Sequence, residues 1–377
     1  MVFKKPYLMN TTTRFCMAIF TALAMARASV GYAEPAATIA VVDPLDRPAM
    51  QISTQLMRTA LLHMVRVGKR LLAVGERGAV LLSDDEGRSW RQALSVPVAV
   101  TLTAVQFIND KKGWAVGHGG VVLTTEDGGE HWSRQLDGLK AAALAMEEAE
   151  FVAKSPNGAR PDAIALIRNA KQLAADGADK PFLDLYFENE KSGLVVGAYG
   201  IAYRTLDGGK TWTPWMGHLD NPKGLHLNAV RATPSGIWIV GERGLVLRAG
   251  SLMQDFTVVK TPYGGSYFTA LALEDGVVIA GLKGHAYLTV NSGKRWTDVS
   301  LPVPISSVSA GRIDGVGIVL TNQAGQILVG KDVGHLVVAP IPPLPPVTAV
   351  LATADGNWIA ATLRGPARFP APSVGTR

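Results

Sequence analysis

The chain has 377 residues, with 37 lysines and arginines, 31 aspartates and glutamates, one cysteine and a formal net charge of +6. A hydrophobic fraction of 47% excludes a disordered chain, and a single cysteine excludes a disulfide-stabilised scaffold. The length permits two or three domains or one large all-β domain, so the number of domains has to come from internal organisation.

The first 33 residues are typical of an export signal. A basic start (Lys4, Lys5, Arg14) precedes the apolar run from Phe15 to Ala26, and small residues end at Ala33. Cleavage near Ala33 leaves 33 basic and 31 acidic residues, a net charge of +2, and no cysteine. We therefore expect a soluble periplasmic protein, and its weak charge argues against a nucleic-acid partner.

A Gly-x-x-Gly turn recurs between apolar strands. Its copies end at Gly78, Gly120, Gly200, Gly244 and Gly284, and two weaker copies end at Gly325 and Gly365. The intervals are 42, 80, 44, 40, 41 and 40 residues, so the interval of 80 contains one period plus an insertion. Periods of about 40 to 45 residues are typical of propeller blades. We predict an all-β, seven-bladed β-propeller over residues 34–377, with a strand at residues 38–42 completing the last blade.

Four units carry Ser/Thr-x-Asp/Asn-x-Gly-x-x-Trp after the third strand. These segments, which we call the Asp-box turns, begin at Ser83, Thr125, Thr205 and Thr289. The hydroxyl and carboxylate side chains can bond the backbone of a tight turn, and the tryptophan can anchor the next strand. Since successive loops of antiparallel strands alternate in direction, we expect the Asp-box turns on one face. The Gly-x-x-Gly turns and the connections between blades should lie on the other.

The extra segment comprises residues 137–181, between blades two and three. Residues 139–154 are alanine-rich, and a second run places Ile164, Ile167 and Leu173 at helical spacing. We predict a helical hairpin over the Gly-x-x-Gly face. Such a hairpin either covers blade edges or serves as a lid or docking arm.

The third position of the Gly-x-x-Gly turn is cationic in four units, at Arg77, Arg243, Lys283 and Arg364. At the overall frequency of lysine and arginine, fewer than one cation is expected by chance. These residues are predicted to form a broken ring of positive charge that binds a partner. The alternative is that exposed turns simply favour long solvated side chains. Glu76 and Glu242 are placed to neutralise part of this charge.

A Gly-x-x-Gly turn, an apolar strand and Thr-x-Asp-Gly-Gly-x-x-Trp follow one another in Gly197 to Trp212. This combination resembles the photosystem II assembly and stability factor family over residues 61–368, and the Asp-box turn resembles the repeat of bacterial neuraminidases. The resemblance implies an exported, non-catalytic propeller that binds membrane-protein partners during assembly. We also expect a monomer. Family arginine positions are matched by Arg77, Arg204, Arg243 and Arg248.

The helical insertion and the missing Asp boxes near Asp255 and Asp332 depart from the plant and cyanobacterial pattern. Relatives in other bacteria are associated with resistance-nodulation-division exporters. The expected client is therefore a membrane-protein complex of the cell envelope, such as an exporter of that class.

The enzymatic alternative is a sialidase-like glycoside hydrolase, in which Arg77, Arg243 and Arg364 would bind a substrate carboxylate. These arginines occupy blades one, four and seven, and no Arg-Ile-Pro motif precedes the first Asp-box turn. We therefore predict that the protein is not an enzyme. The seven histidines lack metal-ligand spacing, so we expect no metal or other cofactor.

Overall fold

Seven β-sheets form a ring in the computed structural model, which describes residues 42–51, 56–154 and 163–373. The prediction of a seven-bladed propeller with a helical-hairpin insertion is confirmed. The signal peptide predicted for residues 1–33 lies outside the described residues. No helix in the described ranges is long and apolar enough to cross a membrane.

Each blade consists of consecutive antiparallel strands. Blades one to three contain β1 (Leu61–Val67), β2 (Arg70–Gly75), β3 (Val80–Ser83), β4 (Arg91–Gln92); β5 (Leu102–Phe107), β6 (Gly113–Gly117), β7 (Val122–Thr125), β8 (Ser133–Leu136); β9 (Phe182–Phe187), β10 (Gly193–Gly197), β11 (Ala202–Thr205) and β12 (Thr213–Pro214). Helices α1 (Gly138–Lys154) and α2 (Ala163–Asp176) separate blades two and three.

The remaining blades follow the same order from the axis outwards. Blades four to seven contain β13 (Leu227–Thr233), β14 (Gly236–Gly241), β15 (Val246–Ala249), β16 (Thr257–Val258); β17 (Tyr267–Ala272), β18 (Val277–Gly281), β19 (Ala286–Thr289), β20 (Thr297–Asp298); β21 (Ser307–Ile313), β22 (Gly317–Asn322), β23 (Ile327–Gly330), β24 (Val337–Val338); β25 (Val347–Ala352), β26 (Asn357–Thr362) and β27 (Gly365–Pro370).

Blade seven has three strands within the described part of the chain. Of the strand predicted at residues 38–42 to complete it, residues 38–41 lie outside the described residues and Val42 is not in a strand. The segment that follows lies against blades one and two, since the Ala99 N–H donates to the Pro44 carbonyl at 2.7 Å.

Polar side chains of the innermost strands join neighbouring blades. The Thr103 hydroxyl donates to the Phe182 carbonyl at 2.7 Å, and the Asn228 amide donates to the Tyr267 carbonyl at 2.8 Å. The same contact closes the ring, because the Thr348 hydroxyl donates to the carbonyl of Leu61 in blade one at 3.0 Å.

The core lies between adjacent blades. One large apolar side chain stands three residues before each Gly-x-x-Gly turn, and all seven are buried: Leu72, Trp114, Leu194, Trp238, Val278, Val319 and Ile359. Trp114 of blade two stacks on Phe187 of blade three with ring centroids 3.6 Å apart. This column therefore packs one blade on the next.

The Asp-box turns contain the hydrogen bonds expected from their side chains. In blade one, the Ser83 hydroxyl donates to Asp85 at 2.9 Å and accepts from the Gly87 N–H at 2.8 Å. The corresponding threonines of blades two, three and five make the same pair of bonds. The expectation of buried tryptophans is met by Trp132 and Trp212, whereas Trp90 and Trp296 are half-buried.

A polar cluster lies near the axis, where β1, β9 and β13 approach one another. Asp184 is 6% exposed, forms an ion pair with Arg231, and accepts the N–H groups of Leu185 and Val230 at 2.9 Å. The Nδ1 atom of His63 accepts the Val105 N–H at 3.3 Å. Burial lowers the pKa of His63 from 6.5, Asp184 opposes this effect, and Arg231 adds to it.

This cluster predicts a loss of stability in mild acid. Because the folded protein disfavours protonation of His63, the stability from its neutral form is present above the unfolded pKa of about 6.5 and is lost as the pH falls below it. Between about pH 7.5 and pH 5, the melting temperature should fall more steeply for the wild-type protein than for His63→Asn, whose amide oxygen replaces Nδ1 as acceptor. Thermal denaturation at constant ionic strength measures both slopes, and parallel slopes would contradict the prediction.

Candidate protein-binding face

The Gly-x-x-Gly turns combine a glycine required by close packing with a residue that points into solvent. A Cβ on the first glycine would lie 2.0 Å from the Ala60 carbonyl oxygen at Gly75, and 2.1 Å from that of His226 at Gly241. The third residue is left-handed, with φ of 55° at Arg77. At Arg77, Arg243 and Lys283 the side chain of this residue is exposed, so its chemistry is open to functional use.

The four cationic turn residues lie on one face of the ring and are all exposed: Arg77, Arg243, Lys283 and Arg364. Arg77, Arg243 and Lys283 are left-handed, with φ between 53° and 56°, whereas Arg364 does not have a positive φ. Within the described ranges, no acidic side chain forms an ion pair with Arg77, Lys283 or Arg364. Their charge therefore faces solvent.

The glutamates beside two of these arginines bond to the backbone. Glu76 accepts the Ala60 N–H at 3.0 Å, and Glu242 accepts the His226 N–H at 3.3 Å. Arg243 Nε lies 3.8 Å from a Glu242 oxygen, at the outer limit of an ion pair. The expected neutralisation is thus weak at Arg243, and Arg77 is not paired with Glu76.

The helical hairpin lies on this same face. Asp137 accepts the N–H groups of Leu139 and Lys140 at 3.1 and 3.0 Å, which caps the start of α1. Small side chains let α1 approach blade three closely, and the Tyr203 hydroxyl donates to the Ala141 carbonyl at 2.6 Å. Helix α2 packs on α1. The hairpin is therefore part of the core at its base, while Phe151 and Ile164 near its tip are 70% and 81% exposed.

A cavity of about 530 Å³ separates α2 from blade three and from the connection to blade four. Its apolar wall includes Leu166, Ala170, Leu173, Ile201 and Met216. Tyr199 lies at its rim with 60% of its surface exposed, and Lys180 Nζ lies 4.4 Å from the centre of the Tyr199 ring. Lys180 is ion-paired with Asp176 and Asp179, at 2.9 Å in each case. The cavity thus offers an apolar cleft with an aromatic rim, and its charged lining residues are balanced between acidic and basic.

Arg204 and Arg248, which the resemblance marks as candidates, occupy a different place. Both are on third strands, at the end near the Asp-box face, where each is half-buried. The Arg204 guanidinium lies 3.7 Å from the centre of the Trp215 ring, and the Arg248 guanidinium lies 5.6 Å from that of Trp238. The structure does not bring them together with the four cationic turn residues.

Sequence reasoning did not single out Tyr199 or Lys180. Tyr199 occupies the third position of its turn, like the four cations, so the repeat alignment carries a signal for it. The described residues contain no group of three or more metal-ligating side chains placed to hold an ion.

The sequence and the fold can be compared with those of known proteins. A family model described as photosynthesis system II assembly factor YCF48 matches residues 167–327. The solved structure "YCF48 bound to D1 peptide" is 17% identical with a TM-score of 0.58, covering 85% of this chain and 96% of that one. The structure "YCF48 from Cyanidioschyzon merolae" is 15% identical with a TM-score of 0.58, covering 85% and 98%. Over residues 167–327 the chain is thus similar to the photosystem II assembly factor family, and its fold is similar to that of the YCF48 structures.

Propellers with other functions share this fold. The streptogramin B lyase structure is 9% identical, with a TM-score of 0.62, and covers 88% of this chain and 100% of that one. At these identities, similarity to solved structures shows the fold alone. No curated protein matches the sequence significantly.

Proposed function

We propose that this protein is a non-catalytic periplasmic scaffold that binds a membrane-protein partner and supports assembly or stability of an envelope complex. The observation that carries the proposal is the coincidence, on one face, of four exposed cations with the apolar cleft under the helical hairpin. A propeller of the same fold has been solved bound to a D1 peptide, which supports peptide binding by this scaffold.

The chemistry of the face defines the partner segment. Apolar side chains of a partner can enter the cleft beside Tyr199, and acidic side chains can contact the cationic turns. An amphipathic, acidic segment next to a membrane span meets both requirements. A resistance-nodulation-division exporter is the client class that we propose.

Replacing Arg77, Arg243, Lys283 and Arg364 together by glutamine should weaken partner binding about tenfold, because each exposed charge pair contributes roughly 0.2–1 kcal/mol. The melting temperature should not change, since these side chains are exposed. Binding is measured by titrating both proteins against the membrane partner that the wild-type protein captures from detergent-solubilised envelope.

The matched control changes the same charge on the Asp-box face. Lys111, Lys210, Lys294 and Lys331 are exposed there and are replaced by glutamine. This control should bind as the wild-type protein does. Equal weakening in both variants would refute the assignment of binding to the Gly-x-x-Gly face, and unchanged binding in the first variant would do the same.

A further inference from the structure

The junction between blade seven and blade one, which we call the seam, differs from the other junctions of the ring. These blades contain the last and the first strands of the described chain, so no interblade connection joins them. Within the described ranges, blade seven also has no fourth strand that would tie it to the beginning of the chain. Non-covalent contacts between the two blades therefore hold the seam closed.

The apolar core of the seam is small. Four of its nine buried residues are alanines: Ala73, Ala79, Ala349 and Ala361. The junction of blades two and three, in contrast, contains Trp114 stacked on Phe187. Because an alanine removes little apolar surface from water, packing stabilises the seam less than it stabilises that junction. Polar contacts across the seam therefore carry more of its stability.

A single glutamate bridges the seam on the Asp-box face. Glu86 forms an ion pair with Arg66 of its own blade, through bonds of 3.0 and 2.9 Å, and accepts the Ala354 N–H of blade seven at 3.1 Å. The carbonyl oxygen of Glu86 accepts Nε–H of Arg368, also of blade seven, at 3.1 Å. Arg66 in turn donates to the Ala352 carbonyl of blade seven at 2.9 Å. The glutamate and its paired arginine thus each bond to the opposite blade.

Further charges continue this network. Asp355 of blade seven pairs with Arg88 of blade one and with Arg368 of its own blade. The hydrogen bonds from Arg66 lower the pKa of Glu86 below its ordinary value, so the carboxylate is charged at neutral pH. Only 19% of the Glu86 side chain is exposed, so its contacts are screened less than those of a fully exposed pair.

Glu86 makes these contacts from a conformation that favours glycine. It is the fourth residue of its Asp-box turn and has a φ of 61°, whereas blades two and three have Gly128 and Gly208 at this position, with φ of 73° and 77°. Blade five has Ser292 there, with φ of 59°. A Cβ makes the left-handed conformation less favourable. The contacts of the Glu86 carboxylate offset this strain, and a glycine could not make them.

We propose that Glu86 is a latch that closes the propeller ring, and that the ring opens first at the seam when ionic strength rises. Salt screens the ion pairs of the latch but does not screen the apolar packing of the other junctions. Opening separates blade seven from β1 while the remaining blades stay joined. The latch lies on the face opposite the proposed client surface, so this inference does not rest on the proposed function.

Hydrogen exchange of the mature protein, resolved into peptides of each blade by mass spectrometry, tests the latch. Raising sodium chloride from about 0.1 M to about 1 M shortens the Debye length from about 10 Å to about 3 Å, and should accelerate exchange in blade seven more than in blade four. In Glu86→Gly, exchange in blade seven should be at least about tenfold faster than in the wild-type protein, because hydrogen bonds to a charged group are lost. Exchange in blade four should be the same in both proteins.

Ser292→Gly is the matched control, because it makes the same backbone change in blade five, away from the seam. It should leave exchange in blade seven unchanged and should not lower the melting temperature. Glu86→Gly should lower the melting temperature, although it relieves the same backbone strain. Glu86→Gln keeps the size of the side chain and removes its charge, so its blade-seven exchange should respond less to salt than that of the wild-type protein.

Three results would overturn the proposal. The first is equal melting temperatures for Glu86→Gly and Ser292→Gly. The second is an acceleration of exchange in Glu86→Gly that is uniform over all seven blades, since the seam would then not be the point of opening. The third is the same salt response of blade seven in Glu86→Gln and in the wild-type protein.

Discussion

Replacing Asp184 by alanine is expected to lower the free energy of unfolding by about 3–5 kcal/mol. The carboxylate is buried, forms an ion pair with Arg231, and accepts two backbone N–H groups, of which that of Val230 belongs to the next blade. Its removal leaves a positive charge and two N–H groups without acceptors near the axis. Denaturant titration of the mature protein measures the loss.

The exposed Asp275, in the turn between β17 and β18, provides the control. Asp275→Ala should change the free energy of unfolding by less than about 0.5 kcal/mol. In the double variant Asp184→Ala, Arg231→Ala, the loss should be smaller than the sum of the two single losses, because neither charge is then left unpaired. Similar stabilities of Asp184→Ala and Asp275→Ala would rule out a structural role for this pair.

Replacing Trp114 by alanine should also lower the free energy of unfolding by about 3–5 kcal/mol. Trp114 is fully buried, stacks on Phe187 at 3.6 Å with an interplanar angle of 7°, and its Nε1–H donates to the Gly208 carbonyl at 3.2 Å. One side chain thus joins two blades by packing and by a hydrogen bond. The variant opens a cavity at their interface.

The half-buried Trp296 serves as the comparison for Trp114. It makes one hydrogen bond, from Nε1 to the Lys260 carbonyl at 2.9 Å, near the outer edge of its blade. Trp296→Ala should therefore destabilise the protein less than Trp114→Ala does. Equal losses in denaturant titration would show that burial between blades does not determine the contribution of a tryptophan in this ring.

The repeat made the fold predictable. Glycine spacing revealed seven units, and antiparallel order then placed the two classes of turn on opposite faces, as observed. The exposure of Arg77 and Lys283 also followed, because a turn position is exposed by its local geometry. Features that depend on one short segment of backbone were thus within reach of sequence reasoning.

Features that depend on contacts between segments distant in sequence could not be predicted from the sequence. The cleft exists because α2 stands away from the connection at residues 214–224, and helical spacing does not reveal that separation. Arg204 and Arg248 were candidates only through the family resemblance, and their stacking on tryptophans is set by neighbouring strands. The Asp184–Arg231 pair joins residues 47 apart in sequence, and no motif connects them.

The division of tasks within the Gly-x-x-Gly turn has an evolutionary consequence. The first glycine cannot accept a side chain, because a Cβ at Gly75 or Gly241 would overlap a carbonyl oxygen, whereas the third residue already ranges from Arg77 to Tyr199 in this one chain. At exposed third positions such as Arg77, exchanges among side chains that tolerate the left-handed conformation therefore cost little folding stability. A lineage can acquire a different binding partner by exchanging a few solvent-exposed side chains while the propeller fold beneath them stays unchanged.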